Sequence, residues 1–528
     1  MAPCISRRPR KLAASSADVR CRVPFEVLPY DAANARYPRT RHEDTAGVMS
    51  EAYWNRWNDR EQKRISDDIE RYRMGEAEIA LADCNPGCEV KVEQTGHAFV
   101  FGASIFNFNQ LGSRKLNDRY KSIFGTLFNG ATVPFYWGSF EHEPGKPRFV
   151  TAEEDTENFW NNCSDAATRY NWRRPSTDQI VEFCKERGLR MHGHVLVWGS
   201  RKEHPSWLES MMNKEEKARY ERLIVERAAP KYNWDRDIFN EEYAAMSPAE
   251  VYRDFPCFID TLGKLFDARI QNLAAYYGNT IPSWDVVNES AIDWEAGLIS
   301  AGSPFCKSLY GFMPGDYPYR ALKTAEAAFP AGVALDINDY RMSRGYADEI
   351  KWLIDRGARI DIVGAQMHLF KPKNCLDIAA GKDRQSPRRV REWMTLLGSA
   401  GRPIHLSEIT ITSPGSDDRG RKIQAVITRN LYRLWFSNPQ MMGITWWNVV
   451  DDCGYRGEPN ESGLFDRQMN PKTAYYALYD LLNREWRTDI KVRVDSDGKL
   501  RFRGYKGTYR LSYKGKDGKR KTIEYKLD

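Results

Sequence analysis

Eight short apolar runs recur along the chain with longer, helix-patterned stretches between them, and this alternation constrains the fold more than any other feature. The runs span residues 99–105, 131–137, 190–198, 284–289, 333–338, 362–369, 404–411 and 443–449. Strands covered on both faces read as continuous apolar runs, and a strand–helix alternation builds a parallel sheet. No glycine-rich phosphate loop follows the first run, as a doubly wound nucleotide-binding sheet would need. The α/β pattern is therefore predicted to close into a (β/α)8 TIM barrel over residues 96–483.

The flanks read differently. Residues 1–48 mix Pro, Arg, Ala and Ser without periodicity and are expected to form a poorly ordered leader. Trp54, Trp57, Ile65 and Ile69 recur at helical spacing, which predicts one amphipathic helix over 52–73. Residues 77–81 and 89–93 alternate apolar with polar on either side of Asn85-Pro86-Gly87, as in a hairpin or two sandwich strands. The same alternation returns at 489–494, 500–503, 508–513 and 522–525, with turns at Asp497-Gly498 and Asp517-Gly518. A segment over 49–95 flanking the barrel and a small β-domain over 484–528 are expected to share one β-unit.

Composition narrows the function. The 79 Lys and Arg against 72 Asp and Glu leave a scattered charge of +7 over 528 residues, which does not argue for nucleic acid. No stretch approaches the ~18 consecutive apolar residues of a membrane span, and the mean hydropathy is −0.65. Ten Cys are too dilute for a disulfide scaffold, and the Cys84–Cys88 spacing lacks the second pair of a zinc site. Ser6-Arg7-Arg8 hints at an export signal, but no apolar stretch follows it. The 16 Trp, 27 Tyr and 23 Phe are many, and aromatic faces stack well on sugar rings.

In a TIM barrel the active site lies at the carboxyl ends of the strands. The fourth run ends in Asn288-Glu289, the seventh carries Glu408, the sixth ends in Gln366-Met367-His368, and the third contains His192-Gly193-His194 before Trp198. Two carboxyl groups at the ends of the fourth and seventh strands suit hydrolysis of a glycosidic bond, one protonating the leaving oxygen and one attacking or activating water.

The motifs WDVVNES at 284–290, GHVLVW at 193–198, GAQMHL at 364–369, INDY at 337–340, GITWWNVVDD at 443–452 and GLFDRQMNPKTAYYAL at 463–478 together resemble glycoside hydrolase family 10, the endo-β-1,4-xylanases. The resemblance runs from about residue 95 to 483, in the family's order. It implies a retaining hydrolase cleaving β-1,4-linked glycan, endo-acting on xylan, with Glu289 as acid/base and Glu408 as nucleophile. Asn288 would bond the sugar 2-hydroxyl, His368 would orient Glu408 with Gln366 beside it, and His194 would bond a sugar hydroxyl. Trp198 and Trp447 would pack on the glycone ring, with Asn338 also in the substrate-binding set. The resemblance implies no cofactor and no metal, a polysaccharide or oligosaccharide as partner, no membrane contact, a monomer, and an extracellular or periplasmic location by function.

The sequence also departs from the family. Where the family places a polar clamp after strand 2, this chain has Phe135, Tyr136 and Trp137, read as an aromatic wall of the cleft. Trp446 is assigned to the same rim. Gly199 stands in the place of a His, Thr410 in that of an Asp, and Tyr455, also assigned to substrate, in that of a Trp. The longer stretch 201–252 is read as a lid, a subsite wall or a solvated helical insertion. Three other functions remain open: hydrolysis of a non-xylan glycan or plant glycoside, a carbohydrate-binding relative without catalysis, and a metal-dependent hydrolase using His192, His194, His368 and His405.

Overall fold

The computed structural model describes residues 24–150, 156–163, 174–200, 203–226, 238–454 and 458–528. Eight strands form the barrel: β1 (Val100–Ser104), β2 (Gly130–Pro134), β3 (Arg190–His194), β4 (Ser283–Asn288), β5 (Ala334–Asp339), β6 (Ile362–Leu369), β7 (Ile404–Ile411) and β8 (Met441–Trp446). Each pairs in parallel with the next, and β8 closes onto β1. All eight predicted runs are present. The third is shorter than expected, and Val197–Trp198 pairs separately with β4. Gly193 lies flat on the Trp284 ring, where an added Cβ would come within 2.3 Å.

Helices cover the barrel because their apolar stripes need a partner. The Asp418–Phe436 helix starts where the Asp417 side chain accepts from Gly420 N, and it buries Ile423, Val426, Ile427 and Leu434. The predicted helix over 52–73 is two helices, Glu51–Arg56 and Asp59–Arg73. Asn58 breaks it by accepting from Glu61 N, so it caps the second helix instead of continuing the first. Trp54, Trp57, Ile65 and Ile69 are buried as the spacing requires.

Two register slips decide what points into the barrel. Asp336 of β5 faces Asp285, but the next residue, Ile337, faces Val287, so β4 carries one extra residue. Gly364 of β6 faces His405 while Gln366 faces Glu408, so β7 carries one as well. Strict alternation would send residues three apart to opposite faces. The bulges instead turn Asp285 and Asn288, and likewise His405 and Glu408, to the interior.

The flanking β-unit draws on both ends of the chain. Met74–Ala80 pairs with Lys499–Tyr505, and Glu89–His97 lies between Asp489–Arg493 and Gly507–Lys514, with Arg520–Leu527 outermost. The strands on either side of Asn85-Pro86-Gly87 thus sit in different sheets, the sandwich alternative and not a hairpin. Val90, Val92, Leu500, Tyr509 and Leu511 are fully buried in its core, each aliphatic worth ~1.5–3 kcal/mol.

Residues 24–48, expected within a poorly ordered leader, lie against the barrel, where Leu28, Tyr37 and Val48 join the main core. They do so as irregular chain, which is why no periodicity announced them. The Arg7-Arg8 segment lies outside the described residues. So does part of the 201–252 stretch. What is described there packs inward: Tyr220 and Tyr243 lie against Phe312, with ring centroids 5.5 and 5.6 Å away. The cysteines among the described residues are free thiols, and no described helix is long and apolar enough to cross a membrane.

Candidate active site

The cleft at the carboxyl ends of the strands encloses about 1020 Å³ and takes side chains from all eight strand ends. At its centre β4 delivers Asn288, and the chain then turns sharply. Glu289 sits at φ +59°, left-handed backbone that a Glu adopts only when its surroundings hold it there. They do: Glu289 N donates to Asn338 O at 2.8 Å, and Ala291 N donates to Asp339 Oδ2 at 2.9 Å.

One chain of hydrogen bonds joins the two carboxyls. Gln366 Nε2 donates to Glu289 Oε1 at 3.2 Å and to Asn288 Oδ1 at 3.1 Å. Asn338 Nδ2 donates to that same Asn288 oxygen at 2.9 Å and to Glu408 Oε1 at 2.8 Å. With Oδ1 accepting twice, Asn288 has its Nδ2 left to offer a hydroxyl in the cleft. Asn338 is fully buried, and Ser407 Oγ donates to its Oδ1 at 2.5 Å, so it fixes its neighbours from below the cleft surface.

On the far side of Glu408, His368 Nε2 lies 3.3 Å from Oε2 and His368 Nδ1 lies 3.0 Å from Thr410 Oγ1. Burial lowers the His368 pKa to about 4. The ring is therefore neutral near pH 7, with Nε2 facing Glu408 and Nδ1 facing the threonine hydroxyl. His194 lines the cleft against Trp447 and Tyr136, with its Nδ1 held by Asp285 Oδ2 at 2.7 Å. Trp198 and Trp447 line the cleft as expected, and Trp198 Nε1 also donates to Glu289 Oε2 at 3.1 Å.

Burial raises both carboxyls, Glu289 to about 7 with the charge of Glu408 adding to the effect, and Glu408 to about 8. Donors oppose the rise on each: Gln366, Tyr310 and Trp198 on Glu289, Asn338 on Glu408. Both carboxyls therefore keep their protons to higher pH than an exposed carboxyl would.

Several assignments need correction. Of the aromatic wall after strand 2, Tyr136 alone reaches the cleft. The chain turns into the Trp137–Phe140 helical segment there, which sends the flanking residues outward. Phe135 packs on Trp284 and Tyr277, and Trp137 packs on Phe266 while its Nε1 donates to Glu141. Trp446 is fully buried against Tyr432 and donates to Asn448 O at 2.7 Å. Tyr455 lies outside the described residues. The four histidines do not converge in the cleft: His194 is on Asp285, His368 on Glu408, and His192 and His405 lie deeper in the barrel.

Other residues of the site carry no signal in the strand pattern. Tyr310 OH donates to Glu289 Oε2 at 3.0 Å, and Tyr340 OH lies 3.3 Å from it. Tyr310 sits in the hairpin formed by Phe305–Ser308 and Gly311–Pro314, between β4 and β5. Gly199 lies beside it, where an added Cβ would make ordinary contact with the Tyr310 Cβ at 3.6 Å. Phe106, after β1, and Arg174 also line the cleft, with the guanidinium 4.4 Å from the Phe106 ring and 5.1 Å from the Tyr136 ring. A hairpin residue such as Tyr310 holds no strand-end position, so the strand pattern could not single it out.

A barrel that brings two buried carboxyls to the ends of its fourth and seventh strands, with amides between them and aromatic walls around them, is built as glycoside hydrolases are. Residues 146–481 match the family model described as Glycosyl hydrolase family 10, and the chain belongs to that family. Its similarity to individual proteins is low. The anti-sigma-I factor RsgI6 of Acetivibrio thermocellus is 21% identical over 460 residues, 86% of this chain and 46% of its own length. Endo-1,4-beta-xylanase A of Thermoanaerobacterium saccharolyticum is 25% identical over 360 residues, 65% of this chain and 26% of its own length. The chain thus spans half or less of these two relatives. Endo-1,4-beta-xylanase B of Thermotoga neapolitana is 22% identical over 65% of this chain and 83% of its own. The solved structure of xylanase B from Clostridium stercorarium F9 superposes with a TM-score of 0.48 at 19% identity, covering 72% of this chain and 97% of that one.

Proposed function

We propose that the protein hydrolyses β-1,4-linked glycan with retention of configuration, acting within xylan chains, with Glu289 as acid/base and Glu408 as nucleophile. The observation that carries the reading is the hydrogen-bond chain from Glu289 through Gln366, Asn288 and Asn338 to Glu408. It links two carboxyls of unequal surroundings through three amide side chains. The cleft volume, about 1020 Å³, is at the upper end of small-molecule pockets and suits an oligosaccharide. The xylanase names among its relatives support the substrate.

The chemistry runs in two displacements. Glu408 attacks the anomeric carbon while Glu289 passes its proton to the departing glycosidic oxygen, leaving a glycosyl ester on Glu408. Glu289, now ionised, takes a proton from water, the hydroxide attacks the same carbon, and Glu408 leaves as carboxylate. Turnover needs Glu289 protonated and Glu408 ionised, and bound substrate favours that state. A glycosidic oxygen accepts from protonated Glu289, and the positive charge growing at the anomeric carbon favours an ionised Glu408. Asn288 Nδ2 would bond the 2-hydroxyl, an interaction that strengthens at the oxocarbenium-like transition state. His194, Trp198 and Trp447 would hold the glycone.

A second substrate reading rests on the end of β2, where Tyr136 takes the place of hydroxyl-binding polar groups, with Phe106 from the end of β1 and Arg174 beside it. Each missing hydrogen bond to a sugar hydroxyl costs on the order of 1 kcal/mol of discrimination. A panel of xylan, arabinoxylan, mixed-linkage glucan, cellulose and aryl β-glycosides, with products sized, separates the two. Oligomers from xylan support the first; release from another glycan with none from xylan replaces it with the second.

A further inference from the structure

One layer below the catalytic carboxyls, the barrel interior holds a polar cluster that hydrolysis does not use. His192, Asp336 and His405, on β3, β5 and β7, present one ligand-type atom each, all within 4.8 Å of one another. Asp285 of β4 joins them, with its Oδ2 3.0 Å from His192 Nε2. All four side chains are more than nine-tenths buried.

The polar atoms here are orphaned in a way protein interiors rarely tolerate. Both carboxylate oxygens of Asp336 and Asp285 Oδ1 have no hydrogen-bond partner, and His192 Nε2 has Asp285 Oδ2 as its polar neighbour at 3.0 Å. Both imidazoles are instead fixed from outside. His192 Nδ1 lies 2.8 Å from Ser283 Oγ, and His405 Nε2 lies 2.9 Å from Thr445 Oγ1. Metal-bound histidines are held in the same way, by a hydrogen bond at the ring nitrogen facing away from the ion.

We propose that His192, Asp336 and His405, with Asp285 as the fourth or an outer ligand, form a structural site for a divalent transition-metal ion of the zinc type. Two imidazoles with one or two carboxylates are the donor set such ions take, and magnesium or calcium would want more oxygens. A divalent charge balances the two buried carboxylates, whose burial alone would be costly. Ligand atoms ~2.1 Å from a tetrahedral ion stand ~3.4 Å apart, so the cluster closes by roughly 1 Å on binding. The ion would enter as the barrel folds, since all four side chains are enclosed. Through Asp285, which also holds His194, it would set the floor of the cleft. The rival occupant is a proton, because burial and the charge of Asp285 push the Asp336 carboxyl well above its ordinary range.

Metal analysis of the full chain, expressed with zinc supplied, decides between them. About one equivalent of zinc is expected in the unsubstituted protein, falling at least fivefold in Asp336→Asn and in His405→Gln, and unchanged in the Cys84→Ser, Cys88→Ser double variant. Refolding the unsubstituted protein with cobalt should give the visible absorption of a tetrahedral site, absent from Asp336→Asn. Less than about a tenth of an equivalent of any divalent metal together with no cobalt band, or metal retained in both Asp336→Asn and His405→Gln, overturns the proposal. The zinc content and cobalt band of the unsubstituted protein decide even where a variant fails to fold.

Discussion

Glu289 takes hydrogen bonds from three side chains of different origin: Gln366 on a strand, Trp198 just past one, and Tyr310 on a hairpin. The tyrosine donor lowers the Glu289 pKa, so its removal raises it. In Tyr310→Phe the alkaline limb of the kcat/KM profile is expected to move to higher pH, with kcat/KM down about tenfold, ~1.4 kcal/mol. A profile that superimposes on the unsubstituted one would remove Tyr310 from the site. Glu408 carries a second consequence. Its folded pKa is raised from 4.5 to about 8, so the folded state binds more protons than the unfolded between those values and loses stability as pH rises through them. Glu408→Gln has no such charge to bury. Its melting temperature relative to the unsubstituted protein should rise between pH 5 and pH 9, about the window those two pKa values bound, and a constant difference would contradict the burial. The paired glutamates, Asn288, Gln366 and His368 were legible because strand ends are where barrels keep chemistry. Trp137 was misread because consecutive aromatics at a strand end leave it on different sides, which composition does not reveal.

At the scale of elements, two devices build the cleft. The bulge in β7 swings Glu408 to the interior, and the Phe305–Pro314 hairpin carries Tyr310 over Glu289. That hairpin rests on Phe312, which is packed among Tyr220, Tyr243 and Phe255 from the stretch before the long Pro256–Tyr277 helix. Phe312→Ala should cost ~3–4 kcal/mol by chemical denaturation and lower kcat/KM by about as much as Tyr310→Phe, since it loosens the same hydroxyl. Full activity alongside the stability loss would uncouple hairpin from site. The eight strands were readable from apolar runs alone. The bulges were not, because one extra residue leaves the run's composition unchanged. The helix break at Asn58 had a signature in the sequence, Asn followed three residues later by Glu61, that the apolar spacing on both sides obscured.

Across the whole molecule, chain ends far apart in sequence meet beside the barrel. Deleting 489–528 strips the partners from both Met74–Ala80 and Glu89–His97 and bares Val90 and Val92. The truncated chain is expected to melt lower and to aggregate on a sizing column; an unchanged melting temperature would make the β-unit an independent appendage. The barrel itself gathers its two glutamates from strands 119 residues apart in the chain, Glu289 and Glu408, and the proposed hydrolysis depends on their division of labour. A 2-deoxy-2-fluoro β-xylobioside with a good leaving group slows the release of the glycosyl enzyme and lets it accumulate. Mass spectrometry of the digested protein should find one fluorinated disaccharide per chain on the peptide bearing Glu408, absent in Glu408→Gln. Label on another carboxyl, or turnover without label and with inverted product, would contradict the assignment.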